Sequence, residues 1–375
     1  MRPILATISQ SALRHNLAVV KQYAPNSKVM AALKANGYGH GLANIADALS
    51  ATDGFAVLDL AEAISLREMS FEQPILLLEG IFNASELAIV KGYSLSLVVH
   101  SFAQIEMLEA YFAKHVTPHS PLTGEGGKHH LSVFLKMNTG MNRLGFVPQD
   151  YIVALKRIEK LTPHITLMTH FAAADEPQGV DAALAIFKKT TQGLIYPTSL
   201  ANSAAILCQP QTHADWVRPG IMLYGATPAK NTSATECGLK PVMQFTSEII
   251  SVQTLQAGET LGYGNRFTAN KTMRVGVVAC GYADGYPRHA GQYSGNHHLQ
   301  GVPIAVAGQR TQTIGRVSMD MLFVDITDIP QANIGAPVEL WGNTVPVDAV
   351  AKACDTIGYE LLCAVAPRVP FKVVD

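Results

Sequence analysis

Eight short β-like runs recur over the first 225 residues of the chain, and helical patterns separate most of them. The runs begin near residues 29, 55, 75, 95, 131, 165, 198 and 215. This alternation predicts a parallel sheet, because parallel neighbours are usually joined through a helix. Eight such units favour a closed (β/α)8 barrel over an open doubly wound sheet. The first run is not followed by the glycine-rich fingerprint of a dinucleotide-binding domain, which agrees with the barrel.

The pattern changes near residue 226, where a segment rich in proline, asparagine, serine and glycine extends from 227 to 241. This composition is typical of a linker. Further β-like runs follow at 245–255, 273–280, 302–307, 321–326 and 337–341, with one helical stretch at 347–357. We therefore predict an α/β plus β architecture, with a (β/α)8 barrel over residues 1–228 and a C-terminal, mainly β domain over residues 229–375.

Charge and cysteine content argue against several classes of partner. The 28 lysines and arginines nearly balance the 29 aspartates and glutamates, so binding to nucleic acid or to an anionic membrane is not expected. No apolar run approaches the ~18 residues that span a bilayer. Five cysteines without a CxxC pair indicate reduced thiols and a cytoplasmic protein. The segment 115–130, which holds four histidines, predicts an exposed insertion; its spacings fit no zinc template, and no metal is expected.

Polar residues follow several of the predicted barrel strands, at the end where the active site of such a barrel lies. Lys34 directly follows the first strand, in a segment with three glycines within five residues. The other mouths carry Lys136 and Arg143 after the fifth strand, His170 after the sixth, Asn202 and Ser203 after the seventh, and Arg218 after the eighth. The loop after the eighth strand is where barrels often bind phosphate through backbone N–H groups. Because all these residues lie at the same end of the predicted barrel, we expect them to form one site.

Five motifs in these regions resemble the alanine racemase family. They are Lys-Ala-Asn-Gly-Tyr-Gly-His-Gly at 34–41, Met-Asn-Thr-Gly-Met-Asn-Arg-Leu-Gly-Phe at 137–146, Ala-Asn-Ser-Ala-Ala at 201–205, Gly-Tyr-Ala-Asp-Gly at 281–285 and Gly-Arg-Val-Ser-Met-Asp at 315–320. The first motif is shared with the wider group of barrel-type (fold type III) pyridoxal-phosphate enzymes. The motifs of the second domain make the resemblance specific, and it covers essentially the whole chain. It implies a pyridoxal 5'-phosphate barrel, a β domain and a head-to-tail homodimer.

The resemblance also implies residue roles. Lys34 would form the Schiff base with pyridoxal phosphate and act on the D-enantiomer, while Tyr263 from the partner subunit would act on the L-enantiomer. Racemisation needs such a pair, because a proton leaves one face of the substrate and returns on the other. Arg218 would face the pyridine nitrogen, with His170 packed beside it. The phosphate would be held by Tyr38, Ser203, Tyr359 and the backbone of Gly220 and Ile221.

Substrate contacts follow from the same resemblance. Arg143 and the backbone of Met319, the latter from the other subunit, would bind the carboxylate, and Tyr282 and Asp320 would line the entry. Lys136 is the lysine that is carbamylated by CO2 in several relatives, where it orients the arginine. The implied activity is interconversion of L-alanine and D-alanine, either to supply D-alanine for peptidoglycan or to degrade alanine.

Alternatives remain open at this point. The nearest is a serine or broad-specificity racemase on the same fold, or a barrel decarboxylase. A hydrolase or binding protein that uses Arg143 and Arg218 as anion clamps belongs to another class.

Overall fold

A computed structural model describes residues 2–115, 131–229, 231–291 and 301–375 of the chain. The predicted insertion at 115–130 therefore lies, after its first residue, outside the described residues. Among the residues described, no helix has both the length and the apolar character needed to cross a membrane.

The described chain holds a closed barrel of eight parallel strands, which confirms the prediction. Strand β1 (Leu5–Ser9) precedes the barrel and lies outside it. The barrel strands are β2 (Lys28–Ala32), β3 (Gly54–Val57), β4 (Ile75–Leu77), β5 (Ser96–Val99), β6 (Ser132–Lys136), β7 (Ile165–Met168), β8 (Thr198–Asn202) and β9 (Trp216–Arg218). Each pairs with the next, and β9 closes the ring on β2.

Helices cover the outside of the barrel. They span Gln10–Tyr23, Leu42–Ala46, Leu60–Glu68, Glu86–Gly92, Phe102–His115, Pro148–Ile158, Asp181–Thr190 and Ser203–Cys208. Their starts follow ordinary capping chemistry: Ser9 Oγ accepts from the N–H of Ala12, and the Asp59 carboxylate accepts from the N–H of Glu62. Buried apolar side chains of these helices, such as Leu13, Leu66 and Leu155, belong to the hydrophobic core.

The barrel interior is filled by side chains rather than by solvent. One residue from each of β2 to β7 contributes to a buried cluster, namely Met30, Ala56, Leu76, Val98, Phe134 and Met168. Trp216 of β9 packs against this cluster. A packed interior leaves only the mouth of the barrel for polar chemistry.

The second domain is mainly β, as predicted. Its strands are β10 (Met243–Leu255), β11 (Thr260–Leu261), β12 (Phe267–Thr268), β13 (Met273–Val278), β14 (Pro303–Val306), β15 (Gln309–Ile314), β16 (Leu322–Asp325), β17 (Pro337–Trp341) and β18 (Phe371–Val374). Helices Val347–Ala353 and Gly358–Ala364 lie between β17 and β18. Eight strands form one sheet in the order β13-β16-β15-β14-β17-β10-β1-β18, and β11 pairs with β12.

Strand β1 joins the sheet of the second domain. It runs antiparallel to β10 and parallel to β18, with Ala6 opposite both Phe245 and Phe371. The 13-residue strand β10 also pairs antiparallel with β13, from Ile249 to Leu255, with a register irregularity between Ile249 and Ser251. The start of the chain is thereby tied to strands more than 230 residues away.

Candidate active site

A cavity of about 370 Å³ opens at the carboxyl ends of the barrel strands. The residues that the resemblance assigns to the cofactor and to the barrel side of the site all line this cavity. They are Lys34, Tyr38, Lys136, Arg143, His170, Ser203, Arg218, Gly220, Ile221 and Tyr359. Nine of them follow or end barrel strands, whereas Tyr359 comes from a helix of the second domain.

Several lining residues were not singled out from the sequence. Leu58 directly follows β3, and Leu78 and Glu79 follow β4. These residues follow barrel strands as Lys34 does, so the same argument could have selected them. Leu144 and Met168 carry no polar signal, so the sequence offered no reason to select them.

Lys34 is followed by a left-handed turn. The φ angles of Ala35, Asn36, Gly37 and Tyr38 are 55°, 52°, 64° and 52°. Within it, the Gly37 N–H donates to the Leu33 carbonyl at 2.8 Å, and the Gly39 N–H donates to the Ala35 carbonyl at 3.0 Å. Lys34 and Tyr38, at the two ends of this turn, both line the cavity.

Hydroxyl and backbone N–H groups meet at one wall of the cavity. The Gly220 N–H donates to Ser203 Oγ at 2.8 Å. A Cβ atom at residue 220 would lie 2.3 Å from the Tyr38 hydroxyl oxygen, so only glycine lets these groups approach. Burial raises the pKa of Tyr38, which keeps its phenol protonated as a donor. A phosphate group is well suited to such a set of donors.

Arg218 and His170 form a buried pair beside this wall. Arg218 donates to Ser199 Oγ at 2.7 Å and to the Thr169 carbonyl at 2.8 Å, and it lies 3.5 Å from His170 Nδ1. Burial lowers the pKa of Arg218 to about 10, so the guanidinium stays charged at neutral pH. Burial and the Arg218 cation hold the pKa of His170 well below its usual range, so the imidazole is neutral.

Lys136 ends strand β6 and is buried against the same cavity. Burial lowers its pKa to about 8, and the Arg218 and Arg143 cations act in the same direction. The Glu79 carboxylate opposes them. A substantial fraction of Lys136 is therefore a neutral amine at mildly alkaline pH.

Four predicted site residues of the second domain do not line the described cavity: Tyr263, Tyr282, Met319 and Asp320. Tyr263 lies on the tight connection between β11 and β12, flanked by glycines with φ of 69° and 76°, and is 70% exposed. Met319 is 54% exposed and Tyr282 is 38% exposed.

The loops that carry Tyr282 and Met319 are joined. The Tyr282 N–H donates to the Ser318 carbonyl at 3.1 Å, and the Ala283 N–H donates to the Met319 carbonyl at 3.0 Å. Arg368 Nη2 donates to the Asp320 carboxylate at 2.6 Å. The single chain thus presents two sets of predicted site residues, one inside the barrel mouth and one outside the cavity, on the second domain.

The fold and the site define a (β/α)8-barrel protein with a second, mainly β domain. A lysine and an anion cradle, formed by the hydroxyls of Tyr38, Ser203 and Tyr359 and the backbone of Gly220 and Ile221, lie at the barrel mouth. Comparison with known proteins narrows this class. The family model for the N-terminal domain of alanine racemase matches residues 8–228, and the model for its C-terminal domain matches residues 242–373. The chain belongs to the alanine racemase family and is an isomerase.

Individual relatives are similar to this chain over nearly their full lengths. Alanine racemase of Paraburkholderia phytofirmans is 52% identical, with 99% of each chain covered, and that of Nitrosospira multiformis is 52% identical, with 98% of each covered. The crystal structure of biosynthetic alanine racemase from Pseudomonas aeruginosa has a TM-score of 0.91 and 43% identity over 100% of both chains. That of Bartonella henselae alanine racemase, with covalently bound pyridoxal phosphate, has a TM-score of 0.85 and 26% identity, again over 100% of both chains. These comparisons do not favour a racemase of another amino acid.

Proposed function

We propose that this chain interconverts L-alanine and D-alanine with pyridoxal 5'-phosphate bound in the barrel cavity. The observation that carries the proposal is the cavity itself, in which Lys34 shares one space with the hydroxyl and N–H groups of the anion cradle. The full-length similarity to alanine racemases supports the choice of alanine.

The residues present suit this cofactor. The phosphate would be held by the hydroxyls of Tyr38, Ser203 and Tyr359 and the backbone N–H groups of Gly220 and Ile221. Lys34 would hold the cofactor covalently, and Arg218 would face its pyridine nitrogen. When bound, pyridoxal phosphate supplies an electron sink that acidifies the Cα–H bond of an amino acid. An arginine at the pyridine nitrogen keeps that sink weak, since a guanidinium does not give up its proton there.

Two residues would move the proton. Lys34 Nζ serves one face of the substrate and removes the Cα proton of D-alanine. Tyr263 Oη serves the opposite face and removes the Cα proton of L-alanine. The 70% exposure of Tyr263 and its position outside the cavity of its own chain support a head-to-tail homodimer, in which Tyr263 reaches the partner's barrel.

Residues of both subunits would select the substrate. The Arg143 guanidinium binds the carboxylate from within the barrel, and the backbone N–H of Met319 binds it from the partner. Tyr282 and Asp320 narrow the entry. A pocket closed in this way rejects larger side chains by clash.

Domain limits and location are part of the same proposal. We place the barrel domain at residues 1–228 and the β domain at 229–375, which the family matches support. Strand β1 belongs to the first range but pairs with strands of the second. The five free cysteines support a cytoplasmic enzyme.

Racemisation of a panel of L-amino acids tests the proposal. We expect kcat/KM for alanine to exceed that for serine by about tenfold or more, because one added polar atom must fit a small closed pocket. Chiral chromatography of the products provides the measurement. Equal values for alanine and larger amino acids would favour a broad-specificity racemase, and release of CO2 would favour a decarboxylase.

Carbamylation of Lys136 provides a second test. A neutral amine adds to CO2 by forming an N–C bond and releasing one proton, so the reaction is favoured above the Lys136 pKa of about 8 and suppressed below it. The carbamate anion would orient the Arg143 guanidinium. We expect CO2-free buffer to raise KM for alanine severalfold, and added bicarbonate to restore it.

The matched control is Lys136→Arg, which keeps the positive charge but cannot be carbamylated. It should show no response to bicarbonate. A carbamate signal in the 13C NMR spectrum with labelled bicarbonate should appear in the wild-type protein alone. The modification would be excluded if CO2 did not change the wild-type KM and the carbamate signal did not appear.

A further inference from the structure

The left-handed turn after Lys34 carries a conformational cost. Left-handed backbone is costly for most L-residues, whereas glycine adopts it freely and asparagine tolerates it. Gly37 is exempt, but Ala35 and Tyr38 are not. Ala35 is exposed and gains no packing in return. Some other contact must hold the first half of this turn in place.

Glu62 makes one such contact, from outside the turn. One oxygen of its carboxylate accepts from the Asn36 N–H at 2.8 Å, and the other accepts from the Leu58 N–H at 3.1 Å. Asn36 is the second residue of the turn, and Leu58 follows β3. The Glu62 backbone is itself fixed, because its N–H donates to Asp59 Oδ1 at 2.9 Å. A single carboxylate therefore joins the mouths of two neighbouring barrel strands.

The second half of the turn is held from another side. His40 Nδ1 lies 3.0 Å from both the Gly37 and the Tyr38 carbonyl oxygens, which can only accept, so this nitrogen donates. Burial lowers the pKa of His40 to about 4, so the imidazole is neutral. The Tyr38 ring also stacks on Tyr224, with centroids 4.6 Å apart. In the first half, the Asn36 carbonyl accepts from the Gly41 N–H at 2.9 Å and Asn36 Oδ1 accepts from the Leu42 N–H at 2.8 Å. Glu62 adds the acceptor for the Asn36 N–H and links this half to the neighbouring strand.

We propose that Glu62 is a positioning residue for the active site: by clamping the Asn36 N–H to the loop after β3, it holds the left-handed turn that aims Lys34 and Tyr38 into the cavity. The inference rests on the proposed function for the roles of Lys34 and Tyr38. Glu62 does not line the cavity in the described structure, so it acts through the turn.

The test compares Glu62→Ala with Glu68→Ala, which removes an exposed carboxylate from the same helix. Apoenzyme is titrated with pyridoxal phosphate, and backbone hydrogen exchange of residues 35–41 is measured in parallel. For Glu62→Ala we expect cofactor binding about tenfold weaker, since two hydrogen bonds to a charged group are lost. Exchange at Asn36 should accelerate, with the thermal midpoint of the apoenzyme little changed. Glu68→Ala should match the wild-type protein in each measurement.

A compensating change sharpens the test. Ala35→Gly removes the steric cost of the left-handed conformation at residue 35. In the Glu62→Ala background it should recover about fivefold in cofactor affinity, and alone it should change little. Glu62→Gln keeps one acceptor and should fall between Glu62→Ala and the wild-type protein.

The outcomes separate the two proposals. Unchanged exchange at Asn36 and unchanged cofactor affinity in Glu62→Ala would overturn the role of Glu62 and leave the proposed function standing. A wild-type apoenzyme that does not bind pyridoxal phosphate would instead overturn the proposed function. A loss of affinity with equal loss of thermal stability, not relieved by Ala35→Gly, would show a general structural role and also overturn the positioning role.

Discussion

Replacing Lys34 by alanine should abolish racemisation in both directions, by about three orders of magnitude or more. The lysine has two proposed roles, as covalent holder of the cofactor and as the base for one face of alanine, and its replacement removes both. Conversion of L-alanine and of D-alanine, each followed by chiral chromatography, measures the loss.

Two variants control for folding and for charge. Lys34→Arg keeps a cation at the barrel mouth but cannot hold the cofactor covalently, so it should be as inactive as Lys34→Ala. Lys188→Ala removes an exposed lysine from the helix Asp181–Thr190 and should retain full activity. Near-normal conversion by Lys34→Ala in both directions would overturn the proposed function as a whole.

Mixing two inactive variants should restore activity if the site is shared between subunits. Lys34 lies at the barrel mouth, whereas Tyr263 lies on an exposed loop of the β domain. In a heterodimer of Lys34→Ala and Tyr263→Phe, one site would carry both changes and the other would carry neither. Random exchange in a two-fold dimer makes about half of the molecules heterodimers, so about a quarter of all sites should regain wild-type residues.

Co-refolding the two variants, with heterodimers verified by mass, measures the recovery. Each homodimer alone should be nearly inactive, and refolded wild-type protein sets the scale. Activity near a quarter of that of refolded wild-type protein supports the shared site. No recovery in the presence of heterodimers would place Lys34 and Tyr263 in one subunit or deny Tyr263 its role.

Most of the barrel and its mouth were predictable because they depend on local patterns. Alternating apolar runs and helices mark the strands, and the chain leaves every strand of a parallel barrel at the same end. Lys34, Lys136 and Arg218 are far apart in the sequence, but this rule predicts that they share one site. They do line one cavity.

Strand pairing at the edge of the second sheet was not predictable in this way. Strand β1 is five residues long, and among the described strands it pairs with β10 and β18, far along the chain. Strand β15 is largely polar, and β18 is only four residues long with Lys372 among its apolar side chains, so neither presents a long apolar run. Their conformation comes from hydrogen bonds to neighbours that local sequence does not specify.

The sequence by itself determined the barrel, the mainly β second domain and the set of residues at the strand mouths, since each follows from short-range periodicity or from motifs. Only the tertiary structure decided that residues 35–38 form a left-handed turn and that Glu62 joins it to the next strand. It also decided that burial, together with nearby cations, lowers the pKa of Lys136. These features depend on distances between segments that are remote along the chain. Backbone strain at one segment is offset by a carboxylate from another, and a pKa depends on every charge that the fold brings near.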